Sequence, residues 1–146
     1  MARRRPRQHS FQGHPKRTVL RALVRMRLDD AWALFRVSQE RKAPQRRNGA
    51  LYLAGYAVEC ALKATICLHR GTGRLEPGFF THDLSELAQA AGLWPTLVAD
   101  PGTISTFERV AFWHVALRYQ ALSWATSDVW QFLRDCEELT QWVSEN

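Results

Sequence analysis

The chain has 146 residues, 46% of them hydrophobic, with six tryptophans and a net charge of +6, which fits one domain able to bury about 70% of its unfolded surface and fold without disulfides or metal. Its uninterrupted apolar runs fall short of the ~18 residues of a membrane span, and the basic start Met1-Ala-Arg-Arg-Arg-Pro-Arg7 lacks the apolar stretch of a secretory signal, so a soluble cytoplasmic protein is expected. Cys60, Cys67 and Cys136 lack CxxC spacing and sit in apolar helical patterns, which reads as reduced core thiols; no metal or cofactor is expected.

The charge is unevenly spread. Residues 1–47 carry 14 Lys and Arg against Asp29, Asp30 and Glu40, whereas residues 48–146 carry 6 against 11 acidic residues. Residues 1–16, rich in Arg, Gln, Gly, Pro and His, show no hydrophobic period and read as a flexible basic arm. Such an arm suits a phosphate backbone, an acidic partner or the body of another subunit, and equally a plain solubilising extension.

From Arg17 to about Glu40, a stripe of Leu20, Leu23, Val24, Leu28, Ala31, Leu34 and Phe35 predicts a first helix. Pro44 breaks the pattern within a short connection. A second helix is expected from about Arg46 to Arg70, ended by Gly71-Thr-Gly73. It carries three seams. Ala50, Ala54, Ala57, Ala61 and Ala64 recur in steps of four and three, so another backbone can approach there. Leu51, Val58 and Leu62 form a bulkier edge. Tyr52, Tyr56, Glu59, Lys63 and Arg70 place polar groups on a helix that otherwise reads as buried, which marks this seam as the place to look for function.

After a loop to Phe80, Thr81 is the expected cap of a short helix from His82 to Ala91, with Gly92 as its stop. Pro95, Pro101 and Gly102 predict a further loop. A fourth helix, about Ile104 to Gln120, is apolar on most sides, and a final one follows Thr126-Ser127-Asp128 with Val129, Phe132, Cys136, Leu139 and Val143 in step. Period-two alternation is never sustained. The expected fold is therefore all-α, an antiparallel up-and-down bundle of four long helices plus one short helix spanning residues 17–146.

The run Leu53-Ala-Gly-Tyr-Ala-Val-Glu-Cys-Ala-Leu-Lys-Ala64, followed by Thr81-His-Asp-Leu84 with Leu87 and then by Trp113 and Arg118-Tyr119, resembles the HEPN family (higher eukaryotes and prokaryotes nucleotide-binding domain). The likeness covers roughly residues 20–143, and its helix-two motif carries most of the specificity. The basic arm has no counterpart in the family pattern. The resemblance implies a helical bundle that forms a homodimer and works on RNA or nucleotides within a prokaryotic toxin–antitoxin or defence module, beside a small nucleotidyltransferase partner. Many members are metal-independent ribonucleases with an Arg followed after four to six residues by His; others lack that pair and act as binding or scaffold domains.

Arg109-Val-Ala-Phe-Trp-His114 has the Arg-x4-His spacing. In a straight helix, however, the two residues lie about 140° apart, since each step turns ~100°, and Val110 is apolar where the ribonucleases mostly carry a polar residue. No histidine follows Arg118. His114 and Arg118 lie only ~40° apart on one face, so a twofold axis there brings two Arg and two His together, the groups needed to deprotonate a 2′-hydroxyl and steady a phosphorane. The candidate catalytic residues are thus Arg109, His114 and Arg118, and the candidate binding residues Tyr56, Glu59 and Lys63. Plainer roles stand beside these. His114 suits a hydrogen-bonded interior position, Arg118 suits neutralising Glu59, Glu59 and Lys63 suit an ordinary helix pair worth ~0.3–0.5 kcal/mol if exposed, and His82 suits the start of its helix.

Overall fold

The computed structural model describes residues 14–119 and 124–146; the side chains of Val115, Arg118 and Tyr119 lie outside the described set. The fold is all-α, and no strand occurs among the described residues. Four long helices, α1 (Arg17–Glu40), α2 (Arg46–Arg70), α5 (Pro101–Tyr119) and α6 (Thr126–Glu145), form the bundle, with the short α3 (Leu84–Ala90) and α4 (Trp94–Val98) between the second and third of them.

Helix α2 is the axis of the core. Ala50, Ala54 and Ala57 are fully enclosed and Ala61 and Ala64 nearly so, as the alanine seam predicts: small side chains let α1 and α6 pack close on either side. Leu51, Val58, Leu62 and Ile66 fill the remaining edge. By length and composition α2 could also cross a bilayer, a property hidden from a count of unbroken apolar residues because Glu59 and Lys63 interrupt it. Here 72% of that stretch is buried inside the bundle, where a core helix is expected to be apolar on all sides.

Partner contacts fix the directions of the helices. The start of α1 meets the end of α2 where Arg17 N donates to the Gly73 carbonyl at 2.9 Å, next to an isolated antiparallel bridge between Lys16 and Arg74. At the other end Leu34 reaches Gly49. Helix α5 runs back along α2, with His114 opposite Gly55, and α6 runs back along α5, with Asp135 opposite Arg109 and Trp113 stacked on Phe132 and Trp124. Residues 1–13 of the expected arm lie outside the described residues. Its last three are held: the His14 ring donates to the Leu75 carbonyl at 3.1 Å, and Arg74 donates to the His14 carbonyl at 2.8 Å.

Three local expectations need correction. The cap of α3 is Asp83, whose carboxylate accepts from Glu86 N at 3.0 Å, while Thr81 Oγ1 accepts from Asp83 N; the helix therefore begins at Leu84 and leaves His82 outside it. The stretch expected to be a loop contains α4, with Pro95 in its first turn, where a missing N–H is no loss. For the same reason Pro101 opens α5, with the Asp100 carboxylate taking Thr103 N at 3.2 Å and Thr103 Oγ1 at 2.8 Å. Gly71 and Gly92 end α2 and α3 with positive φ as their positions require.

Candidate functional site

The polar seam of α2 is divided by its surroundings. Tyr52 is exposed, and Arg70 turns outward to Glu76 (Nε to Oε1 2.7 Å) above the Phe79 ring. Between them Tyr56 is half-buried and Glu59 and Lys63 are buried, and the centre of the seam is Glu59, only 1% exposed.

A carboxylate at that depth must be answered by donors or positive charge, and three elements bring such groups to it. Lys63, one turn further along α2, donates Nζ to Oε1 at 2.7 Å. His82, in the segment before α3, places Nδ1 2.8 Å from the same oxygen. His114 of α5 brings Nε2 to 3.4 Å from Oε2. Burial is the largest single influence on the Glu59 carboxyl and pushes its pKa upward, but the contacts from His114, Lys63 and His82 together outweigh it and hold the group down at about 2. Glu59 is thus an anion at any physiological pH, and it ties α2, α5 and the approach to α3 to one point.

The close approach of α5 rests on Gly55. A β-carbon built there would stand 2.7 Å from His114 Nδ1, nearer than van der Waals contact allows, so the imidazole occupies the space a side chain would take. The glycine serves packing here, one turn before the carboxylate that the imidazole meets. His114 is itself 3% exposed. His82, by contrast, has a side chain 55% exposed and forms the solvent-facing lip of the cluster.

The remaining candidates separate. Tyr56 is half-buried beside Cys60; burial, with the neighbouring Cys60 and Glu59, pushes its hydroxyl up to about 12, so it stays protonated. Burial likewise lifts the Cys60 thiol to about 11, and all three cysteines are buried and unbridged. Arg109 faces α6: its Nε and Nη2 each lie 3.1 Å from the Asp135 carboxylate, and Ser105 and Thr106 take further bonds. Asp135 is buried and also accepts from Gln131 at 2.9 Å. Arg109 and His114 are therefore committed to carboxylates on opposite sides of α5, as the ~140° between them requires. The side chain of Arg118 lies outside the described residues.

The structure brings Glu59, Lys63 and His114 together, with Tyr56 close by. It adds His82, whose role at the start of a helix falls to Asp83. The available signal was the pairing of His82 with the cap sequence that follows it: a histidine displaced from the helix by an Asp cap is free to turn inward. Among the described residues no cluster of His, Cys, Asp or Glu is arranged to hold a metal ion.

Compared with protein-family models, with curated proteins and with solved structures, the chain matches none.

Proposed function

We propose that this chain is a HEPN-like helical domain that binds RNA or nucleotides without cleaving them, as a dimeric component of a prokaryotic toxin–antitoxin or defence pair with a small nucleotidyltransferase as partner. The family assignment rests on the spacing of Gly55, Tyr56, Glu59 and Lys63 and on His82-Asp83-Leu84. The observation that carries the non-cleaving reading is the commitment of two of the three candidate catalytic groups, Arg109 and His114, the side chain of Arg118 lying outside the described residues. His114 is buried against Glu59 and Arg109 is paired with Asp135 on the opposite face, so the two do not converge on one phosphate. In this reading Glu59, Lys63, His82 and His114 set the geometry of the α2–α5 face.

One observation favours the ribonuclease alternative. A carboxylate against one nitrogen of an imidazole is the pairing that supports a general base; because the other nitrogen packs on Gly55, cleavage would need a second subunit to rearrange and complete the site. The two readings part in a single experiment. Purified protein is titrated against a fluorescein-labelled single-stranded RNA in the presence of EDTA, and the same samples are run on a denaturing gel. Saturable binding with the RNA left at full length supports the binding domain. Cleavage that disappears in a folded His114→Gln variant would replace it with the ribonuclease, and the absence of any binding to RNA or nucleotides would overturn both.

A further inference from the structure

The turn joining α1 to α2 gathers positive charge with almost nothing to balance it. Between positions 36 and 47 the chain places Arg36, Arg41, Lys42, Arg46 and Arg47 around one carboxylate, Glu40, and among the described residues none of these five cations forms an ion pair, whereas Arg25 and Arg27 on the same helix are both paired, with Asp29 and Asp30. The turn is tightly held, with Ala43 N donating to Ser38 O at 3.1 Å and Arg46 N to Ala43 O at 3.0 Å. The four cations from Arg41 to Arg47 therefore stay together at one end of the bundle.

Helix electrostatics accounts for only half of them. Arg41 and Lys42 follow the C-terminus of α1, where positive charge is favoured. Arg46 and Arg47 are the first two residues of α2, at the positive end of its dipole, with no acidic residue in the first turn and no side-chain cap. Two arginines there oppose the dipole instead of complementing it. Lys42 adds a second local cost: its φ of 49° is a left-handed conformation in which glycine or asparagine sits more easily. Arg47 gives Nη1 to the Trp124 carbonyl at 2.8 Å, which anchors the turn, while its Nε and the Trp124 Nε1 are buried without a hydrogen-bond partner among the described residues. Uncompensated cations and a bare helix start both call for anionic oxygens.

We infer that the α1–α2 turn, through Arg41, Lys42, Arg46 and Arg47, is a docking surface for the phosphate backbone of single-stranded RNA. The inference rests on the RNA-binding reading above and assigns it a surface remote from the Glu59 cluster. Because the contacts are to phosphates, they supply affinity and salt dependence rather than sequence choice.

The test compares three full-length proteins: wild type, the triple variant Arg41→Gln/Lys42→Gln/Arg46→Gln, and the control Arg17→Gln/Arg21→Gln at the opposite end of α1. Each is titrated with the same labelled single-stranded RNA from 50 to 300 mM salt, after circular dichroism has confirmed that no variant melts below wild type. The expected result is a loss of at least tenfold in affinity for the triple variant at low salt, and a fall of about two in its salt slope, three phosphate contacts at about 0.7 each; the control stays within twofold of wild type. If wild type binds RNA and the triple variant matches it in affinity and slope, the turn is not the docking surface, and a surface built for an acidic protein partner would give that same result. If wild type binds no RNA at all, the functional reading itself fails and takes this inference with it.

Discussion

Gly55 and His114 share one space: the imidazole sits where the glycine's side chain would be, 2.7 Å from the position of a β-carbon. This contact sets the spacing of α2 and α5 at the turn before Glu59. Gly55→Ala should therefore push the ring off the carboxylate and cost about 1–3 kcal/mol, the usual range for overpacking a tight interior. Urea unfolding of Gly55→Ala, His114→Ala and the double variant checks it. The two losses should be clearly less than additive, since removing the ring removes the clash; simple additivity would place the cost of Gly55→Ala elsewhere.

Glu59 should make stability fall in acid. Its pKa in the folded protein is about 2, against 4.5 for the ordinary group, so its contribution is fully present above about pH 4.5 and is lost as pH drops toward 2. A shift of that size corresponds to about 3 kcal/mol. Glu59→Gln should accordingly be less stable than wild type by about that amount at pH 7, and the gap should close between pH 4.5 and 2. Denaturant titrations at a series of pH values give the comparison, and a gap independent of pH would mean that the carboxylate is not held as an anion.

Arg109 should act in stability and not in ligand binding. Its guanidinium is half-exposed and its partner Asp135 is buried, so the full cost of breaking a buried pair is reduced by solvent on one side. Arg109→Gln should lower stability by about 1–2 kcal/mol while leaving RNA affinity within twofold. A large loss of RNA binding in a variant of unchanged stability would return Arg109 to the functional site.

Asp83→Ala removes the cap of α3 and should cost about 1 kcal/mol. Because His82 enters the Glu59 cluster from the residue just before this cap, the substitution should also loosen that histidine. Carbon-bound ring proton resonances in NMR spectra would report it, as a shift of the His82 signals toward those of a solvent-exposed histidine.

Much of this architecture is readable in the residues themselves. The limits of α1 and α2, the enclosure of the alanine seam and the presence of a polar line along a buried helix all follow from steps of three and four, because helix packing demands that period of its sequence. What stayed hidden depends on tertiary contact. Thr81 and Asp83 both have cap chemistry, and only the approach of the chain to α2 decides between them. Pro95 and Pro101 signal loops by composition but open helices, because proline suits the first turn as well as a break. The small residue at Gly55 looks like a loosening of the helix until α5 supplies the ring that fills its space. The cluster itself was half visible: Glu59, Lys63 and His114 announce themselves, whereas His82 arrives from a segment with no period to place it.

The most direct check of the central claim is the titration of Glu59, followed through the chemical shift of its side-chain carboxyl carbon in the folded protein. Held by Lys63, His82 and His114, the group should remain ionised and show no inflection above about pH 3. A midpoint at or above 4.5 would show that the three donors do not clamp it, and the account of the site would be contradicted.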